Sequence, residues 1–266
     1  MALISLNYMS DTLCKSVQLF IALPNPDKIP EEGLKTVWML HGYTGDYTDW
    51  QRLTGMERYA VQRNIAVVMP DGANSFYADM AYGPAHFTYL TKELPEHLRK
   101  LLPLSDKRED NFVGGLSSGG YGAMKIGLTY PERYAGIGCL SAYNIPEDFS
   151  WQYPDKPEDW RRMFSLVYGD LFPNHMMGSE HDLYHLIDVI NEKSLPKPAV
   201  FHIWGDADVA KRGARIMNRY FTDMEGDPFR YFGKEYPGVH YFDFWDAHLE
   251  EMFDYFGLEK KAVVSP

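Results

Sequence analysis

Two hydrophobic periods alternate along this chain. Short apolar runs of strand length are separated by longer segments with helical spacing. Val17, Leu19 and Ile21 alternate with polar or small residues, which predicts an early antiparallel strand. A turn-rich link, Pro24 to Gly33, follows. Val37-Trp38-Met39-Leu40 then reads as a buried strand ending at His41-Gly42. Ile65 to Met69 is the next, stopped by Pro70-Asp71-Gly72. Asn111 to Gly114, Ile137 to Leu140, Val200 to Trp204 and Phe229 to Tyr236 complete the set. Continuous apolar runs of this length suit strands covered on both faces.

Between them the spacing turns helical. Met56, Tyr59 and Ala60 predict a helix from about Gly55 to Arg63, and Thr54-Gly55-Met56-Glu57 has the spacing of a capping box. Leu90, Leu94, Leu98, Leu101 and Leu102 mark one helical face, which Pro95 must kink or restart. Further helices are expected up to about Thr129, over His181 to Glu192, over Arg212 to Met224 and over Phe244 to Phe256. Alternating elements of this kind predict an α/β architecture, a mostly parallel sheet covered by helices. Residues 143 to about 178 break the rhythm with Pro146, Pro154, Pro157 and Pro173 and many aromatics. That stretch is expected to form a cap-like insertion between two strands of one domain spanning 1–266. No internal repeat is visible.

The chemistry concentrates where strands end. Gly115-Leu116-Ser117-Ser118-Gly119 matches G-x-S-x-G and lies between a predicted strand and a predicted helix, the context the motif requires. A strand-to-helix turn this tight brings backbone against backbone, so glycine flanks the serine. Ser117 then stands at a helix N-terminus, where free N–H groups favour developing negative charge. Ser117 is the expected nucleophile.

In this arrangement the acid and the histidine follow the serine in chain order. Val200 to Trp204 is followed by Gly205-Asp206-Ala207-Asp208, and two aspartates compete. Asp206 suits the turn itself. Asp208 lies deeper in the loop, with more reach. Gly238-Val239-His240 places a histidine after the last strand, ahead of the closing aromatic helix. His248 is a rival base, but it falls within that helix and is expected to face solvent. An oxyanion hole needs two backbone N–H groups, and the candidates are those of Ser118 and Tyr43.

Composition narrows the partners. The 266 residues are 45% apolar and 24% charged, ordinary for one globular domain. The net charge of −11 disfavours nucleic acid, whose phosphates need a basic surface. Two cysteines make no disulfide framework, and Cys139, within an apolar run, is expected to be a buried thiol. The start of the chain has no basic leader region, and no apolar stretch is long enough to span a bilayer. A cytoplasmic location, with no membrane partner, is the expectation. His181 and His185 have zinc-helix spacing, but Asp182 stands where the general-base glutamate should be, so a solvated helical face is expected and no metal. The glycines around Ser117 lack the Lys-Ser/Thr pair of a phosphate loop. No cofactor is called for.

Taken together, the chain resembles the tributyrin esterase and feruloyl esterase group, relatives of esterase D (S-formylglutathione hydrolase) on the α/β-hydrolase fold. The likeness runs through Met39-Leu40-His41-Gly42, Met69-Pro70-Asp71, Ser75-Phe76-Tyr77-Ala78-Asp79-Met80, Glu93-Leu94-Pro95, Gly115 to Ala123, the Gly205 to Asp208 loop and Gly238-Val239-His240. It implies Asp208 as the acid and His240 as the base. The family often has methionine where this chain has Ser118, which leaves the backbone donor intact and alters the adjoining acyl pocket. The resemblance implies a serine carboxylesterase acting on short-chain acyl, acetyl-sugar or hydroxycinnamoyl esters. An S-formylglutathione thioesterase, an acyltransferase and a non-catalytic binding module are the alternatives. Tyr121 and Trp160 are the candidate substrate contacts, and Trp151, Tyr153, Phe164, Tyr168 and Phe172 are further aromatics of the insertion. The sequence leaves a homo-oligomer open.

Overall fold

In the computed structural model, which describes residues 1–146, 157–226 and 228–261, eight strands form one sheet. They are β1 (Ala2–Ser10), β2 (Lys15–Leu23), β3 (Thr36–Leu40), β4 (Ala66–Pro70), β5 (Asn111–Leu116), β6 (Gly136–Leu140), β7 (Ala199–Gly205) and β8 (Tyr231–Tyr236). Their order is β1-β2-β4-β3-β5-β6-β7-β8. β2 pairs antiparallel with both β1 and β4, and every pair from β4 to β8 is parallel. This is the α/β-hydrolase fold. The pattern located β2 and missed β1, whose alternating Ile4, Leu6 and Tyr8 are only partly buried at the sheet edge.

Period-two alternation distributes the central strands between two cores. Trp38, Leu40 and Val68 face one side, with Tyr121, Met124 and Leu128 of the helix Ser118–Thr129. Val37, Met39, Val67 and Met69 face the other, with Met56 and Ala60 of the helix Met56–Arg63 and Leu249, Met252 and Phe253 of the helix Phe242–Tyr255. Burial of each such side chain contributes about 1.5–3 kcal/mol. Coverage on both faces explains why these strands read as unbroken apolar runs.

Several local expectations change. The capping box does not form: Thr54 Oγ1 donates back to the Trp50 carbonyl, while the Glu57 carboxylate takes the Gln51 amide. Thr54 instead ends a short helix, Asp49–Leu53. Around Pro95 the helix starts at His86–Thr88, widens into a π-turn at Tyr89–Glu93 and continues as Leu94–Leu101. The wider turn accommodates a proline that cannot donate to a helical hydrogen bond. The insertion carries a helix, Glu158–Tyr168. Trp151 and Tyr153 lie outside the described residues. Cys139 is buried, as its setting predicts, and Cys14 is exposed. No helix among the described residues is long and apolar enough to cross a membrane.

Candidate active site

The residues singled out by chemistry all follow the carboxyl ends of parallel strands, the edge where open α/β sheets bind ligands. His41-Gly42-Tyr43 follows β3, Ser117 follows β5, Asp208 lies in the loop after β7 and His240 in the loop after β8.

Ser117 adopts φ 53° and ψ −122°, a left-handed conformation that a side chain rarely takes. Such strain costs on the order of 1–3 kcal/mol and persists only where surrounding contacts hold it. Glycine makes those contacts fit. A β-carbon on Gly119 would lie 2.3 Å from the Leu40 carbonyl oxygen and 2.4 Å from that of His41. The turn can therefore press against the loop after β3. Ser118 opens the helix, so its N–H has no intrahelical acceptor.

The loop after β3 is held by its own histidine. His41 is buried, and its Nε2 accepts the Gly72 N–H at 2.9 Å. Its Nδ1–H donates to the Gly42 carbonyl at 2.8 Å, so the ring is the neutral Nδ1 tautomer. The same carbonyl accepts the Gly45 N–H at 3.1 Å. A trans peptide points its N–H away from its C=O, so fixing the Gly42 carbonyl fixes the Tyr43 N–H on the opposite side. A β-carbon on Gly42 would lie 3.6 Å from Ser117 Cβ, which places this peptide beside the serine. Tyr77, whose fully buried hydroxyl is pushed well above its usual pKa, donates to the His41 carbonyl at 2.6 Å. Sequence reasoning named the Tyr43 N–H and missed these two supports, because neither is contiguous with it in a recognisable motif.

The acid and base candidates meet. His240 Nδ1–H donates to Asp208 Oδ1 at 2.8 Å, and the Ala210 N–H reaches the same oxygen at 2.7 Å. The Asp208 side chain is sealed from solvent, whereas that of His240 is 24% exposed. Burial pushes the Asp208 carboxyl up, but the His240 hydrogen bond, the nearby Ser141 hydroxyl and the Ala210 N–H outweigh it and hold the group below the usual carboxylate range. Asp206 serves the turn: its Oδ1 accepts the Gly238 N–H at 3.0 Å. Ser117 Oγ makes no hydrogen bond to His240 among the described residues; such bonds are often loose before substrate binds.

Three expectations are corrected. Tyr121 is fully buried, and its hydroxyl donates to the His181 carbonyl at 2.6 Å, so it offers no surface to a substrate. His181 lies outside the helix Leu183–Glu192, buried, with Nδ1 2.9 Å from Lys125 Nζ, rather than on a solvated face. His248 is mostly buried between Tyr236 and Phe244 rather than facing solvent. Of the insertion's aromatics, Phe164, Tyr168 and Phe172 belong to the core. Trp160 is partly exposed and packs on Tyr43 with ring centroids 4.8 Å apart.

Comparison with known proteins gives the family. Residues 10–180 match the family model described as "Putative esterase". An acetyl esterase from Caldicellulosiruptor saccharolyticus is 32% identical over 269 residues, covering 96% of this chain and 98% of the relative. A fluorophosphonate-binding serine hydrolase F from Staphylococcus aureus, solved with substrate bound, superposes with a TM-score of 0.84 at 30% identity, covering 97% of this chain and 99% of that one. An S-formylglutathione hydrolase from the same organism gives 0.82 at 31% identity, with the same coverage. With a family model matching well over half its length and a full-length relative at 32% identity, this chain belongs to that esterase family.

Proposed function

We propose that this esterase hydrolyses short-chain or flat aromatic acyl esters through Ser117, His240 and Asp208. The observation that carries the reading is the Asp208–His240 pair, on the same sheet edge as a serine held in a left-handed turn. In the first step His240 Nε2 takes the Ser117 proton as Oγ bonds to the ester carbonyl carbon. The Tyr43 and Ser118 N–H groups receive the oxyanion, a contribution of about 3–4 kcal/mol per donor in such sites. The C–O bond to the alcohol breaks as His240 returns the proton to the leaving oxygen. Water then attacks the acyl-serine by the same route, releasing the acid and restoring Ser117. Asp208 orients the ring and stabilises the imidazolium.

The acyl preference follows from the wall beside the oxyanion donor. Tyr43 and Trp160 supply stiff rings there, suited to a small or planar group. Turnover of acetyl, butyryl and feruloyl esters by the wild type and by Ser117→Ala tests the reading. Activity that survives the substitution overturns it. Thioester hydrolysis is a second reading, favoured by the likeness to the S-formylglutathione hydrolase. Faster turnover of S-formylglutathione than of any oxygen ester would select it.

A further inference from the structure

Ser141 directly follows β6, the strand between those that precede Ser117 and Asp208. One peptide unit there joins both neighbours. The Leu140 carbonyl accepts the Ser117 N–H at 2.8 Å, and the Ser141 N–H donates to the Ile203 carbonyl of β7 at 2.8 Å. Ser141 is fully buried and, like Ser117, has a φ of 53°. A non-glycine residue in that region points to a function more often than a chance residue does.

Its side chain is committed on one side. The buried Trp245 Nε1–H donates to Ser141 Oγ at 2.8 Å. Indole can only donate, so Oγ is the acceptor and the hydroxyl keeps one proton to place. A buried hydroxyl proton needs an acceptor. Asp208 Oδ2 is a buried oxygen with no hydrogen-bond partner among the described residues, since His240 and Ala210 both use Oδ1. Ser141 lies against that carboxylate and helps hold its pKa down. A small turn of the carboxylate about its Cβ–Cγ bond would bring Oδ2 into line with the Ser141 hydroxyl. The other charged groups of the turn are occupied elsewhere. Asp206 Oδ1 takes the Gly238 N–H, and Lys211 Nζ donates to the Asp206 carbonyl. Trp245 also packs edge-on against His240, ring centroids 5.0 Å apart at 88°.

We propose that Ser141 and Trp245 are positioning residues that brace the acid, Trp245 Nε1–H donating to Ser141 Oγ and the Ser141 hydroxyl to Asp208 Oδ2. The proposal rests on the reading of Ser117, His240 and Asp208 as the catalytic set. The brace fixes the plane of the carboxylate, so that Oδ1 stays aimed at His240, and it takes up part of the carboxylate charge. A carboxylate that loses one donor holds more charge against its imidazole partner, so protonation of the pair extends to higher pH.

The test compares Ser141→Ala, Trp245→Phe and the double variant on one short-chain ester, with thermal unfolding of each alongside. Ser141→Ala should lower kcat/KM about tenfold, mainly through kcat, the size expected for one hydrogen bond to a charged group. The acid limb of its kcat/KM profile should move up by about half a pH unit. Trp245→Phe, which keeps a ring and loses the donor, should move the limb the same way by less. The double variant should be no worse than Ser141→Ala, because both act through one contact. Trp245→Phe decides the matter if Ser141→Ala fails to fold. An unmoved acid limb in the folded variants, with lower melting temperature alone, overturns the brace and leaves the catalytic set standing. Turnover that survives Ser117→Ala overturns both.

Discussion

Asp206 Oδ1 accepts the Gly238 N–H at 3.0 Å, two residues ahead of His240, while Asp208 Oδ1 accepts from His240 itself at 2.8 Å. Aspartates two residues apart thus act on the same loop in different ways, one on its backbone and one on the imidazole. Asp208→Asn presents an amide to the ring and favours the wrong tautomer, so turnover should fall by about 10⁴. Asp206→Asn keeps an acceptor oxygen and should cost little, whereas Asp206→Ala frees Gly238 and should cost about tenfold. Steady-state kcat/KM for the three variants decides. A larger loss at Asp206→Asn than at Asp208→Asn would move the acid.

With the Tyr43 and Trp160 rings at the acyl site, as proposed, the enzyme should favour groups of up to about four carbons or planar aromatic groups. Trp160→Ala should raise KM for feruloyl esters several-fold and change KM for acetate less, since the small acyl group gains little from the Tyr43–Trp160 contact. Rates on p-nitrophenyl esters from acetate to palmitate, with methyl ferulate, check this. A wild-type preference for octanoate or longer would rule out the wall while leaving Ser117 untouched.

Acid should destabilise the fold below pH 6.5. Burial pushes His202 down to about 4 and His181 down to about 3, where Lys125 adds to the effect. Below 6.5 the unfolded chain takes up protons that these folded imidazoles refuse, so stability falls as pH falls, until the folded values are reached. Each group contributes about 1.4 kcal/mol per pH unit across its window. Urea midpoints from pH 7 to 4.5 should show the fall, and His202→Gln should flatten it. A wild-type curve with no slope there would refute the neutral burial.

Lys125 should act in the alkaline range. Burial pushes its ammonium down to about 8 from 10.5, beside His181 Nδ1 and with Nζ 4.7 Å above the Phe87 ring. Between those values the unfolded lysine is protonated and the folded one is not, so this group makes stability rise with pH. Lys125→Met should remove that component. The difference in unfolding free energy between wild type and variant, followed from pH 7.5 to 9.5, should therefore shift in favour of the wild type. A constant difference would mean that Lys125 keeps its ordinary ionisation.

The sequence by itself determined most of the scaffold and named the candidates for the chemistry. Runs such as Val37 to Leu40 and Ala66 to Met69 announce strands covered on both faces, because nothing polar interrupts them. The glycines around Ser117 announce a turn whose backbone must touch its neighbours. The chain order of serine, acid and histidine placed His240, and the resemblance chose Asp208. Signals of this kind are a local period or spacing, or the order of motifs along the chain.

Only the tertiary structure decided how the side chains are used. Tyr121 follows the nucleophile closely in sequence, yet the helix turns it into the core against His181. His181 and His185 have the spacing of one helical face, but His181 precedes the helix and is buried on Lys125. Asp206 and Asp208 differ in role because the strand end aims one at a backbone N–H and the other at a ring. Ser141 meets Trp245 across 104 residues, and His41 meets Gly72 across 31. The reason is physical. Hydrophobic period specifies which face of an element is buried, but which partner a buried polar group finds depends on strand order and loop path, and these bring together residues that no sequence window contains.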